Sequence, residues 1–177
     1  DAGNSLNPAI DGYSITGETR EQVLAFFFGT GANGKSTLLD VVMELLGSYA
    51  IKLPSDSLMA HHGDRHPTDI AQLKGVRLAA SNEIDEGEYW AESKLKELTG
   101  DRMLTARFMR GDFFTFQATH KHIIAGNHRP QVRAMDEAMR RRILLIPFGV
   151  RFEGSRRDND LPAKLRATGA AILADLC

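Results

Sequence analysis

The stretch VLAFFF-GTGANGKS-TLLDVVMELLG, residues 23–47, decides how this chain is read. VLAFFF is an uninterrupted apolar run of strand length, as expected for a strand buried on both faces of a parallel sheet. Beyond it, Leu38, Leu39, Val42, Leu45 and Leu46 recur at helical spacing, so a helix is expected from Lys35 to Leu46, with Gly47 as its stop. Between strand and helix, Gly29, Thr30, Gly31, Ala32, Asn33, Gly34, Lys35 and Ser36 fill every fixed position of G-x-x-x-x-G-K-[ST]. The chemistry needs those residues there. Glycines let the backbone turn tightly and aim its N–H groups at phosphate oxygens. The helix start adds free donors and partial positive charge. Lys35 brings a point charge to the outer phosphates, and the Ser36 hydroxyl is a ligand for Mg²⁺. Chance would produce the pattern in a chain of this length only about once in a hundred. Its place between an apolar run and an amphipathic helix is the context that supports nucleoside-triphosphate binding.

A triphosphate site also needs an acid. Val76–Ala80 (VRLAA) reads as a second strand, and Ser81-Asn82-Glu83 follows it. That sets the Glu83 carboxylate just beyond a strand end, where open α/β sheets bind ligands. Asp85, Glu86, Glu88 and Glu92 come next and read mostly as a solvated turn. Further on, His122–Ala125 reads as a third buried strand and residues 143–148 (ILLIPF) as a fourth. Trp90–Leu98 and residues 134–142 read as helices, and residues 105–116 as a hairpin around Arg110-Gly111-Asp112. Residues 54–69 read as a polar surface loop. Strands alternating with helices imply an α/β domain with a mostly parallel sheet.

Asn127 ends the third strand, placed to hold a water or the γ-phosphate, or to cap a turn. Arg140, Arg141 and Arg142 stand at a helix end; arginine suits phosphate, and it equally suits a helix C-terminus. Three neighbours in sequence cannot all face one partner.

The chain has 177 residues, 42% hydrophobic and 25% charged, with Cys177 as its single cysteine. That is one ordinary domain, not a disulfide scaffold or a disordered chain. No apolar run is long enough to span a bilayer, so no membrane partner is expected. The net charge of −1 conceals an asymmetry. Residues 1–101 hold 8 Lys/Arg against 16 Asp/Glu, while residues 102–157 hold 12 against 4. Such a basic block is a candidate footprint for a polyanion. His61, His62, His66, His120, His122 and His128 come without cysteines or i, i+4 helical spacing, which argues against zinc. The phenylalanines of residues 108–116 fit base stacking or a half-buried strand.

Taken in order, the motifs resemble a known group. The phosphate loop and Glu83 are followed by KELTGD (residues 96–101), TARFMR (105–110), AGNHRP (125–130), Asp136-Glu137-Ala138, Arg141-Arg142 and Ile146-Pro147-Phe148. This series resembles the helicase domain of phage and plasmid primase-helicases, in superfamily three, and is similar to the poxvirus primase-helicase. The likeness runs from about Gly12 to the end of the chain.

The resemblance implies a P-loop NTPase of AAA+-like, three-layer αβα form, with a mostly parallel sheet and a pre-sensor β-hairpin. It implies ATP and Mg²⁺ as ligands, a hexameric ring with sites between neighbours, and single- or double-stranded DNA as partner. Lys35, Ser36 and Thr37 then match the phosphate-loop positions, Glu83 the acid of the second motif and Asn127 the sensor asparagine. Arg141 or Arg142 matches the arginine given in trans to a neighbour's γ-phosphate, the spacing to Phe148 favouring Arg141. Arg107 and Arg110 on the hairpin, with Lys94 and Lys96 before it, match DNA contacts. The source expected is a phage or prophage in a bacterial cytoplasm. Departures are Asn82-Glu83 in place of two acids and a single glycine in Thr99-Gly100-Asp101. The expected layout is an upstream remnant over residues 1–20, an ATPase core over 21–150 and the start of a C-terminal helical region over 151–177, all within a fragment of a longer protein. Two other readings stand beside it: a small-molecule P-loop kinase, and a nucleotide-dependent assembly or DNA-binding module without turnover.

Overall fold

The apolar run opening at residue 23 becomes an interior strand because both of its faces find cover. The computed structural model describes residues 16–60, 68–82, 89–128, 131–133 and 136–169. Their elements are β1 (Leu24–Phe28), α1 (Lys35–Leu46), β2 (Ala50–Lys52), α2 (Thr68–Ala71), β3 (Leu78–Asn82) and α3 (Glu92–Gly100), then β4 (Met103–Ala106), β5 (Phe114–Gln117), β6 (Lys121–Gly126), α4 (Glu137–Arg140), β7 (Ile143–Pro147) and α5 (Leu161–Ala167). Five strands form one sheet in the order β2-β3-β6-β1-β7, every neighbouring pair parallel. β4 and β5 form a separate antiparallel hairpin, in register from Met103↔Gln117 to Ala106↔Phe114.

Strand alternation divides the core in two. Ala25, Phe27, Ala80, Ile123 and Ala125 face Leu39 and Leu46 of α1. Leu24, Phe26, Ala79 and Ile124 face the other way, against Trp90, Leu95 and Leu98, the hairpin residues Leu104 and Phe116, and Met139 of α4. The layers are therefore three, and the second covering layer is half helix, half hairpin. Phe26 is fully buried, its ring 5.8 Å from that of Trp90; truncating such a residue to alanine typically costs about 3–5 kcal/mol.

The local readings shift in several places. The strand expected at Val76–Ala80 begins at Leu78, because Gly75 (φ +79) and the Val76 N–H to Leu73 O bond close a turn first. The helix expected from Trp90 begins at Glu92, and Trp90 itself joins the core. The helix expected over residues 134–142 is seen only as α4, where the Asp136 carboxylate caps the Met139 N–H at 2.7 Å. The polar loop expected over residues 54–69 is not all surface: Ser57, Leu58 and Met59 are buried, and Leu58 is in the core. ILLIP is an edge strand, not a buried one; Leu144 and Leu145 stay 39% and 42% exposed because nothing pairs with the far side of β7 among the described residues.

Candidate phosphate site and hairpin

Parallel strands bring their carboxyl ends to one rim, so residues distant in sequence meet there. Gly29 follows β1, Asn82 ends β3, Asn127 follows β6 and Phe148 follows β7. The connections leaving β1 and β6 run to opposite sides of the sheet, and such a switch in strand order opens a crevice.

The loop between β1 and α1 is held in a conformation that suits glycine. Gly29 lies at φ +152, and a Cβ there would collide with the Phe148 carbonyl oxygen and sit 2.7 Å from Asn33 Nδ2. Gly34 lies at φ +86 and precedes α1. Ala32 also adopts a left-handed φ of +61, strained for a residue with a side chain. Two bonds tie this loop to the chain leaving β7: Asn33 Nδ2 donates to Phe148 O at 3.0 Å, and the Phe152 N–H donates to Ala32 O at 2.8 Å.

Lys35 is buried at 5% exposure, and its ammonium is hydrogen-bonded throughout. Nζ donates to Gly29 O at 2.6 Å, to Asn33 Oδ1 at 3.0 Å and to Asn127 Oδ1 at 3.4 Å. Burying a charge at this depth requires such partners. Around it opens a cavity of about 390 Å³ lined by residues 31–37, Asn82, Ala125, Gly126 and Asn127. Lys35, Ser36, Thr37 and Asn127 are thus gathered in one place. Glu83 lies outside the described residues; its predecessor Asn82 lines the cavity.

A second cavity of about 450 Å³ adjoins the loop, between Ala32, Gly34 and Thr37 and the later residues Phe152, Arg156, Arg157, Asp158, Asn159, Leu161 and Pro162. The sequence reading missed this wall. Its only local signal is the basic pair Arg156-Arg157; closeness to the loop comes from the Phe152–Ala32 bond.

The three adjacent arginines part company. Arg142 is half-buried, with Nη1 donating to Ala138 O at 2.9 Å and Nη2 3.0 Å from where a Gly100 Cβ would stand. Arg140 and Arg141 are exposed. Of the lysines before the hairpin, Lys96 pairs with Asp136 at 2.6 Å, which together with the Met139 cap holds that carboxyl below its ordinary range.

On the hairpin, Phe114 and Phe116 turn inward, their rings 5.9 Å apart, while Phe108, Met109 and Phe113 are exposed. Arg110 sits at the tip with φ +60, and the Gly111 N–H donates to Phe108 O at 3.0 Å. The Arg107 guanidinium lies 4.7 Å over the Phe113 ring.

The histidines divide as well. His61, His62 and His66 lie outside the described residues, and His128 is exposed. His120 and His122 are buried edge-on at 4.8 Å. Burial, and then the Lys121 ammonium, lower His120 to about 4; burial, His120 and Lys94 hold His122 well below its ordinary value. No helix among the described residues is long and apolar enough to cross a membrane.

Comparison with known proteins adds a family. Residues 27–142 match the family described as "Family of unknown function (DUF5906)", and the chain belongs to it. It is 28% identical over 142 residues to "Putative helicase 022R" of frog virus 3, covering 76% of this chain and 14% of that protein. It is 25% identical over 140 residues to "Putative helicase L207/L206" of Acanthamoeba polyphaga mimivirus, covering 78% and 15%. It is 28% identical over 136 residues to "Putative primase C962R" of African swine fever virus, covering 75% and 14%. The chain thus spans about one-seventh of the length of these relatives. Its fold superposes on the solved C-terminal region of NrS-1 with a TM-score of 0.73 at 15% identity, over 95% of this chain and 40% of that one. The resemblance to the helicase domain of primase-helicases, drawn from motif order, holds: the relatives carry helicase and primase names.

Proposed function

We propose that this chain is the ATP-hydrolysing core of a DNA helicase, an AAA+-like P-loop ATPase that works as a ring of copies, hexameric in the full-length protein. The observation carrying this reading is the buried Lys35 ammonium, hydrogen-bonded by Gly29 O, Asn33 and Asn127 in a cavity at the carboxyl ends of parallel strands. The cavity suits phosphates: nothing lies within 4 Å of where a Cβ would stand on Gly31 or Gly34, so the backbone is open there to an anion.

In this reading residues 29–37 bind the triphosphate. The loop N–H groups and the N-terminus of α1 meet its oxygens, and Lys35 neutralises the outer phosphates. Ser36 and Glu83 would hold Mg²⁺, which when bound offsets phosphate charge. Glu83 accepts a proton from the attacking water, whose oxygen bonds to the γ-phosphorus as the bond to the bridging oxygen breaks. The Asn127 amide orients that water or the γ-phosphate. Arg141 of a neighbouring copy meets the charge developing in the transition state. Its exposure, set against Arg142's internal bond to Ala138, favours it for that role. The second cavity, about 450 Å³ beside the same loop, receives the base and ribose. The hairpin arginines Arg107 and Arg110 contact DNA.

The test is ATP hydrolysis across a protein-concentration series, with and without single-stranded DNA, with Lys35→Ala as control. Turnover rising faster than linearly, stimulated by DNA and lost in Lys35→Ala, supports the reading. Turnover linear in concentration and indifferent to DNA overturns the helicase part and revives a small-molecule kinase. Nucleotide binding without hydrolysis at any concentration points to the non-enzymatic module.

A further inference from the structure

The hairpin tip is built against the ordinary logic of burial. Within six residues it exposes 49% of Phe108, 69% of Met109 and 61% of Phe113, although Phe114 and Phe116 beside them turn inward. Scattered exposed apolar residues need no explanation, but a cluster at a hairpin end marks a binding surface. The charge around it names the class of partner. Arg107 and Arg110 stand on the hairpin and the Lys74 ammonium lies 5.1 Å over the Phe114 ring, against one acid between the two strands, Asp112. An apolar protein partner would gain nothing from that balance, whereas a polyanion would.

We propose that Phe113 and Phe108 form a stacking platform for unpaired nucleobases, so that the hairpin grips a single strand by its bases as well as its phosphates. The proposal rests on the reading above that nucleic acid is the partner, and it names which form. The Arg107 guanidinium over Phe113 presents a cation and an aromatic ring together, the pair on which a base stacks. Arg107 Nε is buried and has no hydrogen-bond partner among the described residues, so the ring contact, rather than an acceptor, accompanies it there. Phe108 stacks on Phe114 at 5.6 Å, which roots the exposed ring in the inward-facing pair. Exposed Arg110, held at the tip by a left-handed turn, is left for a phosphate. Base faces are stacked inside a duplex and free in a single strand, so an aromatic platform discriminates between them.

The test is equilibrium binding of the 177-residue chain, with a non-hydrolysable ATP analogue present, to three probes of equal length: oligo-dT, a duplex and an abasic single strand. Wild type binds oligo-dT more tightly than the duplex. Phe113→Ala weakens oligo-dT binding by about ten-fold and leaves the abasic strand unchanged, and Phe113→Trp restores it. Arg110→Ala weakens both single strands. Because Phe113 is exposed, its variants fold, and circular dichroism checks this. If Phe113→Ala and Phe108→Ala bind oligo-dT like wild type while Arg110→Ala does not, the platform falls and the nucleic-acid reading stands. Equal affinity of wild type for duplex and oligo-dT also overturns the platform. No binding to any probe overturns both, and leaves the tip as a protein-docking surface.

Discussion

The rim that carries Lys35 and the tip that carries Phe113 present charge in opposite ways. At the rim the charge is buried, and backbone and amide oxygens surround it. At the tip Phe108, Met109 and Phe113 are exposed, and the half-buried Arg107 lays its guanidinium over the Phe113 ring. A buried ammonium needs its acceptors fixed in advance, which a parallel sheet supplies by ending several strands at one level. An exposed platform needs only a firm footing, which Phe114 and Phe116 supply beneath the hairpin. The rim should therefore respond sharply to single substitutions and the tip gradually.

The sharpest test of the rim concerns the arginine proposed to come from a neighbouring copy. Arg141→Ala should lower turnover about 10³-fold or more without changing the melting temperature, while Arg142→Ala should lower the melting temperature by removing the bond to Ala138. The reverse pattern, read by steady-state hydrolysis and thermal melts, would exchange the two roles. Next in size, Lys35→Ala should reduce turnover on the order of 10²–10³-fold, as for loss of one preorganised electrostatic donor; Arg110→Ala at the tip should leave DNA-free hydrolysis near wild type. Comparable losses in both would erase the distinction between rim and tip.

Acid probes the buried histidine pair at the start of β6. His120 has its folded-state value lowered to about 4, and His122 is lowered too, so both are neutral in the fold at pH 7. Stability from this source is complete above the unfolded value near 6.5 and is lost as pH falls toward 4, because the unfolded chain takes up protons that the folded chain refuses. For His120 the loss is on the order of 3 kcal/mol. Denaturant melts at pH 8 and pH 4.5 should show it, and His120→Phe should flatten the difference; an unchanged pH dependence would remove His120 as the cause. Smallest is the effect at the tip: Arg110→Ala should lower the slope of log affinity against log salt by about one, measured by titration at several salt concentrations.

Where signals were local, the reading from sequence held. The apolar run, the glycine spacing and the helical period each lie within a dozen residues, and β1, the loop and α1 match them, with α1 bounded at Lys35 and Leu46. Where partners were distant, it failed. β2 is three residues long and is a strand only because it pairs with β3, Ala50 opposite Leu78. Leu58 reads as loop, and packing against Trp90 and its neighbours makes it core. ILLIPF reads as a buried strand, but its place at the sheet edge depends on strand order, which no local pattern encodes.

The amino-acid sequence by itself determined the α/β class of fold and the local form of the glycine loop between β1 and α1, because glycine conformations and hydrophobic period act within a few residues of chain. Motif order did the same for the kinship with viral helicases and primases. Only the tertiary structure decided which arginine of residues 140–142 is half-buried, which phenylalanines of the hairpin face outward, and that Phe148 and Phe152 brace the loop 115 and 120 residues before them. Those outcomes depend on which side of the sheet each element covers, and that is settled when distant apolar surfaces compete for the same core.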